Sequence, residues 1–269
     1  MELSDKQLAS LVYHDRYDYP MTERELVKWQ LPMTKFKSTN IKYGSKKEYF
    51  FLKGREKIVA VRQKREVVSA KKLQILKKYS PIFQRIPSIL FVGVTGSLAM
   101  HNSDPGSDID LMVITKKNSL WLARLITLIS LITLKIPLRR AGNKEEKDRL
   151  CLNLWLDETA LVWPAGVRNA FTAHEIAQVV PVINKRQTYE RFLSVNRLIL
   201  NYWPRSVVSP NNFLRGLPAK AGGPLCKILN FCAYKAQLWY MKPKITNEVI
   251  SFNRALFHPK EEIKGNLLL

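Results

Sequence analysis

Apolar residues recur in two rhythms along the first fifty positions. Leu8, Leu11 and Val12 form a stripe with helical spacing, which Pro20 and Met21 interrupt. Thr22, Glu23, Arg24 and Glu25 then read as a capping box that opens a second helix. Beyond it the pattern shortens to two β-prone runs, Ile41 to Tyr43 and Glu48 to Leu52, around a turn at Gly44 and Ser45. From Arg55 to about Tyr79, Ile58, Val61, Val68 and Leu76 fall on one helical face, predicting a single long helix.

Further on, the continuous apolar run Ile89 to Val94 suits a strand covered on both faces. A second strand is expected over Ile109 to Ile114, a long apolar helix from about Ser119, a charged loop over Arg139 to Arg149, and a third strand over Leu150 to Leu156. Past Trp163 the pattern turns helical, with Thr172 as a cap, a helix from about Thr188 to Tyr202, and a Pro/Gly-rich connector from Pro204 to Pro224. A last helix places Leu225, Leu229, Cys232, Ala236 and Trp239 on one face, and the basic tail after Pro259 is expected to be loose. The expected class is α+β with a mixed-sheet α/β core. Residues 1–54 have the helix, turn, helix, hairpin order of a winged helix, 55–86 form a linking basic helix, 87–160 the core, and 161–269 a C-terminal helical region.

Charge narrows the partners. The chain of 269 residues carries 44 Lys+Arg against 22 Asp+Glu, a formal +22, which favours polyanions such as nucleic acid, nucleotide phosphates or an anionic membrane surface. Ten of those cations lie between Lys53 and Lys78, opposed there only by Glu56 and Glu66, so nucleic acid is a possible partner of the basic N-terminal region. Cys151, Cys226 and Cys232 match no metal spacing, and their odd number with an N-terminus lacking a signal pattern leads us to expect a reducing cytoplasm. Arg124 and Lys135 interrupt the apolar stretch from Leu120 to Pro137, which reads as a buried helix rather than a membrane span.

The chemistry lies between the first two strands. The first strand ends at Gly96 and Ser97, where bare amides and a hydroxyl suit phosphate oxygens. After the turn residues Asn102 to Gly106, Asp108 and Asp110 alternate along the second strand, so both carboxylates share a face and suit a hard divalent ion. Neither has an adjacent Lys or Arg in sequence. An apolar strand, Gly-Ser, a spacer near ten residues and Asp-apolar-Asp together resemble the DNA polymerase β-like nucleotidyltransferase superfamily, over residues of about 89 to 157.

The resemblance implies Mg²⁺ or Mn²⁺ on Asp108 and Asp110 as the catalytic pair, with a nucleoside triphosphate, ATP the expected one, held by Gly96, Ser97, Ser107, Asn153 and Arg124. It implies transfer of a nucleoside monophosphate to an acceptor that the sequence does not identify. Two departures stand out. Asn153 occupies the position where many members have a third carboxylate, with Asp157 near the end of that strand, and Met100 and His101 replace a frequent Arg-Gly pair. An alternative is therefore a nucleic-acid-binding regulator whose core binds nucleotide but turns it over weakly or not at all. Arg124 reads equally as a phosphate contact or a paired core arginine. His101 reads as a turn residue, His174 as a cap or surface residue, and the aromatics of 234–240 as core.

Overall fold

The expected capping box at Thr22 opens a helix, and a second box, at Ser4, opens another. In the computed structural model, which describes residues 2–32, 41–139, 146–207, 222–246 and 248–257, Ser4 and Gln7 cap α1 (Asp5–Asp15), and Thr22 and Glu25 cap α2 (Glu23–Lys28). Each pair satisfies amides that a helix start leaves free. Strand β1 (Met21–Thr22) joins the hairpin of β2 (Tyr43–Lys46) and β3 (Tyr49–Leu52) in an antiparallel sheet of order β1-β3-β2. The hairpin turns at Lys47 and Glu48, not at Gly44 and Ser45: Lys47 takes a φ of 57°, while Gly44 sits inside β2 opposite Phe51. A Cβ at Gly44 would stand 3.1 Å from the Phe51 ring, so this glycine serves close packing rather than the turn.

Helix α3 (Lys57–Gln84) begins two residues later than expected and runs on through Pro81. Its buried side is Ile58, Val59, Arg62, Ser69, Lys72, Leu76 and Phe83, whereas Val61 faces solvent. The face is rotated because two of its cations are buried with partners. Arg62 bonds Glu25 at 2.9 Å and Glu66 at 2.7 Å and stacks 3.8 Å over the Tyr19 ring.

The larger sheet has six strands. At its centre β4 (Ile89–Val94) runs antiparallel to β5 (Ile109–Thr115), and β5 runs parallel to β6 (Leu150–Asp157), with α5 (Leu120–Thr133) in the crossover. Its outer strands come from the region expected to be helical. They are β7 (Val180–Asn184), β8 (Val249–Ile250) and β9 (Arg254–Leu256), giving the order β7-β4-β5-β6-β9-β8. The class is α+β, with the mixed sheet expected of it.

Helix α6 (Ala170–Ala177) is capped by Asn169, and Thr172 is the reciprocal partner at its third position rather than the cap. The helix expected over 188–202 is two, α7 (Thr188–Val195) and α8 (Leu198–Tyr202). The break falls at Asn196, whose buried amide donates to Leu161 O and Phe192 O and accepts the Trp163 N–H. Helix α9 (Pro224–Met241) buries Asn230, Ala233 and Gln237, so the apolar face read from its sequence is the outward one, with Trp239 81% exposed. Hydrogen bonding sets this orientation. Asn230 Oδ1 accepts the N–H groups of Trp121 and Leu122 at 2.9 and 3.0 Å, amides that the start of α5 leaves free.

Helix α5 is likewise not buried all round. Leu120, Trp121, Ala123, Thr127 and Leu131 face inward, while Ile126, Ile129 and Ile132 are exposed. Among the described residues no helix is long and apolar enough to cross a membrane. The tail after Pro259, most of the Pro204–Pro224 connector and the centre of the Arg139–Arg149 loop lie outside the described residues.

Successive residues of β4 serve two cores, as strand alternation dictates. Phe91 joins Met112, Ile114, Trp203 and the apolar residues of 3–31 on one side of the sheet. Val92 and Val94 join Leu76, Phe83, Trp121 and Trp155 on the other.

Candidate metal and triphosphate site

Beyond β4 the chain turns sharply into the short helix α4 (Gly96–Ala99). Gly96 has a φ of +62°, and a Cβ there would lie 3.2 Å from Asp110 Oδ2, so both backbone conformation and space call for glycine. The Thr95 N–H donates to Asp110 O at 3.1 Å and the Asn102 N–H to Ser97 O at 2.8 Å, which fastens the turn against β5.

Asp108 and Asp110 come together as their alternation predicts, and a third group joins them. Asp110 lies opposite Cys151 in the parallel β5–β6 register, and carboxylate oxygens of Asp108 and Asp110 and Cys151 Sγ lie within 4.8 Å of one another. Spacing between the cysteines gives no hint of this. The available signal was strand parity, since Cys151 and Asn153 alternate along one strand beside the Asp pair. Asn153 Nδ2 donates to Asp110 Oδ1 at 2.6 Å. Asp157, at the far end of β6, accepts the N–H groups of Asn118 and Thr159 and serves as a loop cap outside the site.

The carboxylates do not lack cations. Arg139 reaches Asp108 Oδ2 at 2.7 Å and Glu146 at 2.6 Å. Behind them Lys72, fully buried, donates to Ser107 O, lies 3.0 Å from Ser107 Oγ and 3.8 Å from Asp148. The Ser107 hydroxyl is thus held by Lys72, Ser103 and the Asp104 carbonyl, behind the Asp pair. Burial, and then the nearby Asp108 charge, push the Asp110 carboxyl up to about 7. Burial also lowers the Lys72 ammonium, with Asp148 and Asp108 opposing.

Lys72 is best read as a fastener for the loop that delivers Asp108. Lys72→Met is expected to cost about 3 kcal/mol by leaving Ser107 O and Asp148 without their cation, measurable by denaturant titration. A cost under about 0.5 kcal/mol would refute that role.

These residues open onto a cleft of about 1470 Å³. Gly96, Ser97, Asp110, Cys151 and Asn153 line it together with side chains of α1, α5, α6 and α9. Arg124 also lines it, with Nη1 2.6 Å from Gln237 Oε1, between the rings of Phe257 and Trp121 at 4.9 and 6.0 Å. Burial lowers its guanidinium to about 10. No carboxylate pairs with it among the described residues, and its Nε has no partner.

Of the remaining sequence candidates, His101 is exposed in a turn with a φ of 53°. His174, expected as a cap or surface residue, is instead buried against His14, with their Nε2 atoms 3.1 Å apart. Tyr234 packs 5.1 Å from the Trp121 ring, but Trp239 and Tyr240 are exposed rather than core.

Two adjacent carboxylates, one half-enclosed and raised by the other, suit a divalent cation that would relieve their repulsion. Cys151 Sγ would add a softer ligand atom beside them. No family model matches the chain, and neither a curated protein nor a solved structure matches it.

Proposed function

We propose that the chain is a nucleotidyltransferase that moves a nucleoside monophosphate from a nucleoside triphosphate, ATP first among candidates, to an acceptor. The observation that carries this is the approach of Gly96 to Asp110, which sets the Gly-Ser turn directly against the Asp pair where Gly96, Ser97 and Asp110 line the cleft. Gly96 and Ser97 would face the triphosphate, and Asp108 and Asp110 would hold Mg²⁺ or Mn²⁺. When bound, such an ion neutralises phosphate charge and stabilises charge developing at the α-phosphorus. Asn153 orients Asp110 by its hydrogen bond. Arg139 balances Asp108, and Arg124 offers a second cation within the cleft. Three free cysteines accord with a reducing compartment such as the cytoplasm.

The alternative, a nucleic-acid-binding regulator with a weak or inactive core, is favoured by two features. Asn153 cannot take a proton, and exposed Lys64, Lys71, Lys77 and Lys78 on α3 could meet phosphates. Calorimetric titration of ATP in Mn²⁺ should give saturable binding that Asp108→Asn weakens by about tenfold or more. Equal binding by the two proteins would overturn the enzyme reading. Tight DNA or RNA binding with a steep salt dependence and no nucleotide turnover would favour the regulator.

A further inference from the structure

The cleft is larger and more apolar than a nucleotide requires. Its volume of about 1470 Å³ exceeds the ~300–1,000 Å³ of ordinary small-molecule pockets, and Gly96, Ser97 and Asp110 make up only a small part of its lining. Its walls also include Leu125, Leu128, Ile129 and Ile132 from α5 and Tyr240 and Met241 from α9. Ile129, Ile132 and Tyr240 are 56%, 53% and 63% exposed, so this wall is open apolar surface rather than core. Contiguous exposed apolar surface in a concavity marks a binding groove.

Arg124 lies between the two regions. Phe257, whose ring it stacks on at 4.9 Å, donates its N–H to Asn153 O at 3.0 Å, which places the guanidinium near the acidic end. Its described polar partner is the neutral Gln237, and Nε has none. A cation enclosed in this way is favourable only when an anion completes it. An apolar wall leading to an anion-seeking arginine is the complement of a specific ligand shape.

We propose that the cleft binds an amphiphile with one long apolar chain and an anionic oxygen head, a carboxylate or a phosphate monoester. The chain lies along α5 and α9 and the head meets Arg124. That this amphiphile is also the acceptor rests on the nucleotidyl-transfer reading; that it binds does not. As acceptor, its anionic head oxygen attacks the α-phosphorus. A new O–P bond forms while the bond from that phosphorus to the bridging oxygen breaks, and pyrophosphate leaves with the electron pair. The attacking oxygen carries no proton to remove, so a site with Asn153 in place of a base loses nothing by it.

Fluorescence titration of the full chain with 11-(dansylamino)undecanoic acid and with its methyl ester, without nucleotide or metal, tests the proposal. The acid should bind saturably, and Arg124→Gln should weaken it by about tenfold or more while leaving the ester unchanged. Ile129→Asp, at a solvent-facing position that does not threaten folding, should weaken both probes. Displacement by dodecyl phosphate extends the support to phosphate heads, whereas failure to displace limits it to carboxylates. Absence of saturable binding, or acid and ester responding alike to Arg124→Gln, would overturn it. Saturable acid binding alongside a failed nucleotide titration would remove the acceptor role alone.

Discussion

Replacing Asp110 with asparagine should weaken Mn²⁺ binding by about a hundredfold or more and, at pH 8, make the metal-free protein harder to unfold. The two effects share a cause. Asp110 is enclosed beside Asp108, and both burial and that neighbour hold its carboxyl up at about 7 against an ordinary 3.8. A carboxyl raised in the folded state binds its proton more tightly there, so ionising it opposes folding. The cost is absent below about pH 3.8, grows as the unfolded carboxyl ionises while the folded one stays protonated, and is complete only above about pH 7, so it is smaller at pH 5 than at pH 8. Asparagine carries no charge at either pH, so its melting temperature should exceed the wild type's by ~2 °C or more at pH 8 and by less at pH 5. Removing an ordinary structural carboxylate would destabilise the fold without that pH dependence. Thermal melts at the two pH values with chelator present, paired with calorimetric Mn²⁺ titration, decide the matter. A variant that is less stable at both pH values and still binds Mn²⁺ would sink the metal assignment.

What the sequence made legible follows from how local each signal is. The central strands and the Thr22–Glu25 capping box depend on neighbours within a few residues, and they lie where the pattern places them. The Asp108–Asp110 pair is legible for the same reason, since strand alternation alone puts two carboxylates on one face. Cys151, Arg139 and Lys72 were not, because each reaches the Asp pair only through parallel pairing, a loop return or the burial of α3. Lys72 in particular sits in a run of cations that looks solvated, and only the fold shows that this lysine faces inward. The outward face of α9 was misread for a physical reason. Apolar content predicts burial, but Asn230 and Gln237 face inward because their amides serve the backbone of α5. The short strands β8 and β9 have too few residues to show a period, and pairing of β9 with β6 and of β8 with β9 creates them.

Between pH 7.5 and 5 the chain should lose about 2 kcal/mol of stability to His14, and more to His174, a residue the sequence read as a cap or surface group. His14 Nδ1 lies 2.8 Å from the Ser10 carbonyl, which can only accept, so Nδ1 carries the proton and Nε2 is bare. His174 must then donate its Nε2–H across the 3.1 Å contact. Around the pair stand Tyr13, Trp29 and Trp203, with the Trp29 ring 4.2 Å from that of His174. Burial lowers His14 to about 4 and His174 further, the His14 charge adding to the second effect. A histidine lowered in the folded state supports folding fully above its unfolded value near 6.5, and that support drains as pH falls toward the folded value. Protonating His14 would put an N–H at its Nε2, facing the His174 Nε2–H inside an aromatic box. Exchanging both histidines for phenylalanine keeps the ring packing and removes the proton uptake. The double variant's fall in melting temperature from pH 7.5 to 5 should therefore shrink by about half or more, whatever its stability at neutral pH. An unchanged fall would place the acid sensitivity elsewhere. Because His14 and His174 join α1 to α6 and line the cleft, the same titration should loosen that wall. Hydrogen exchange at pH 5 should then rise first in residues 8–14 and 170–177, before the strands of the central sheet.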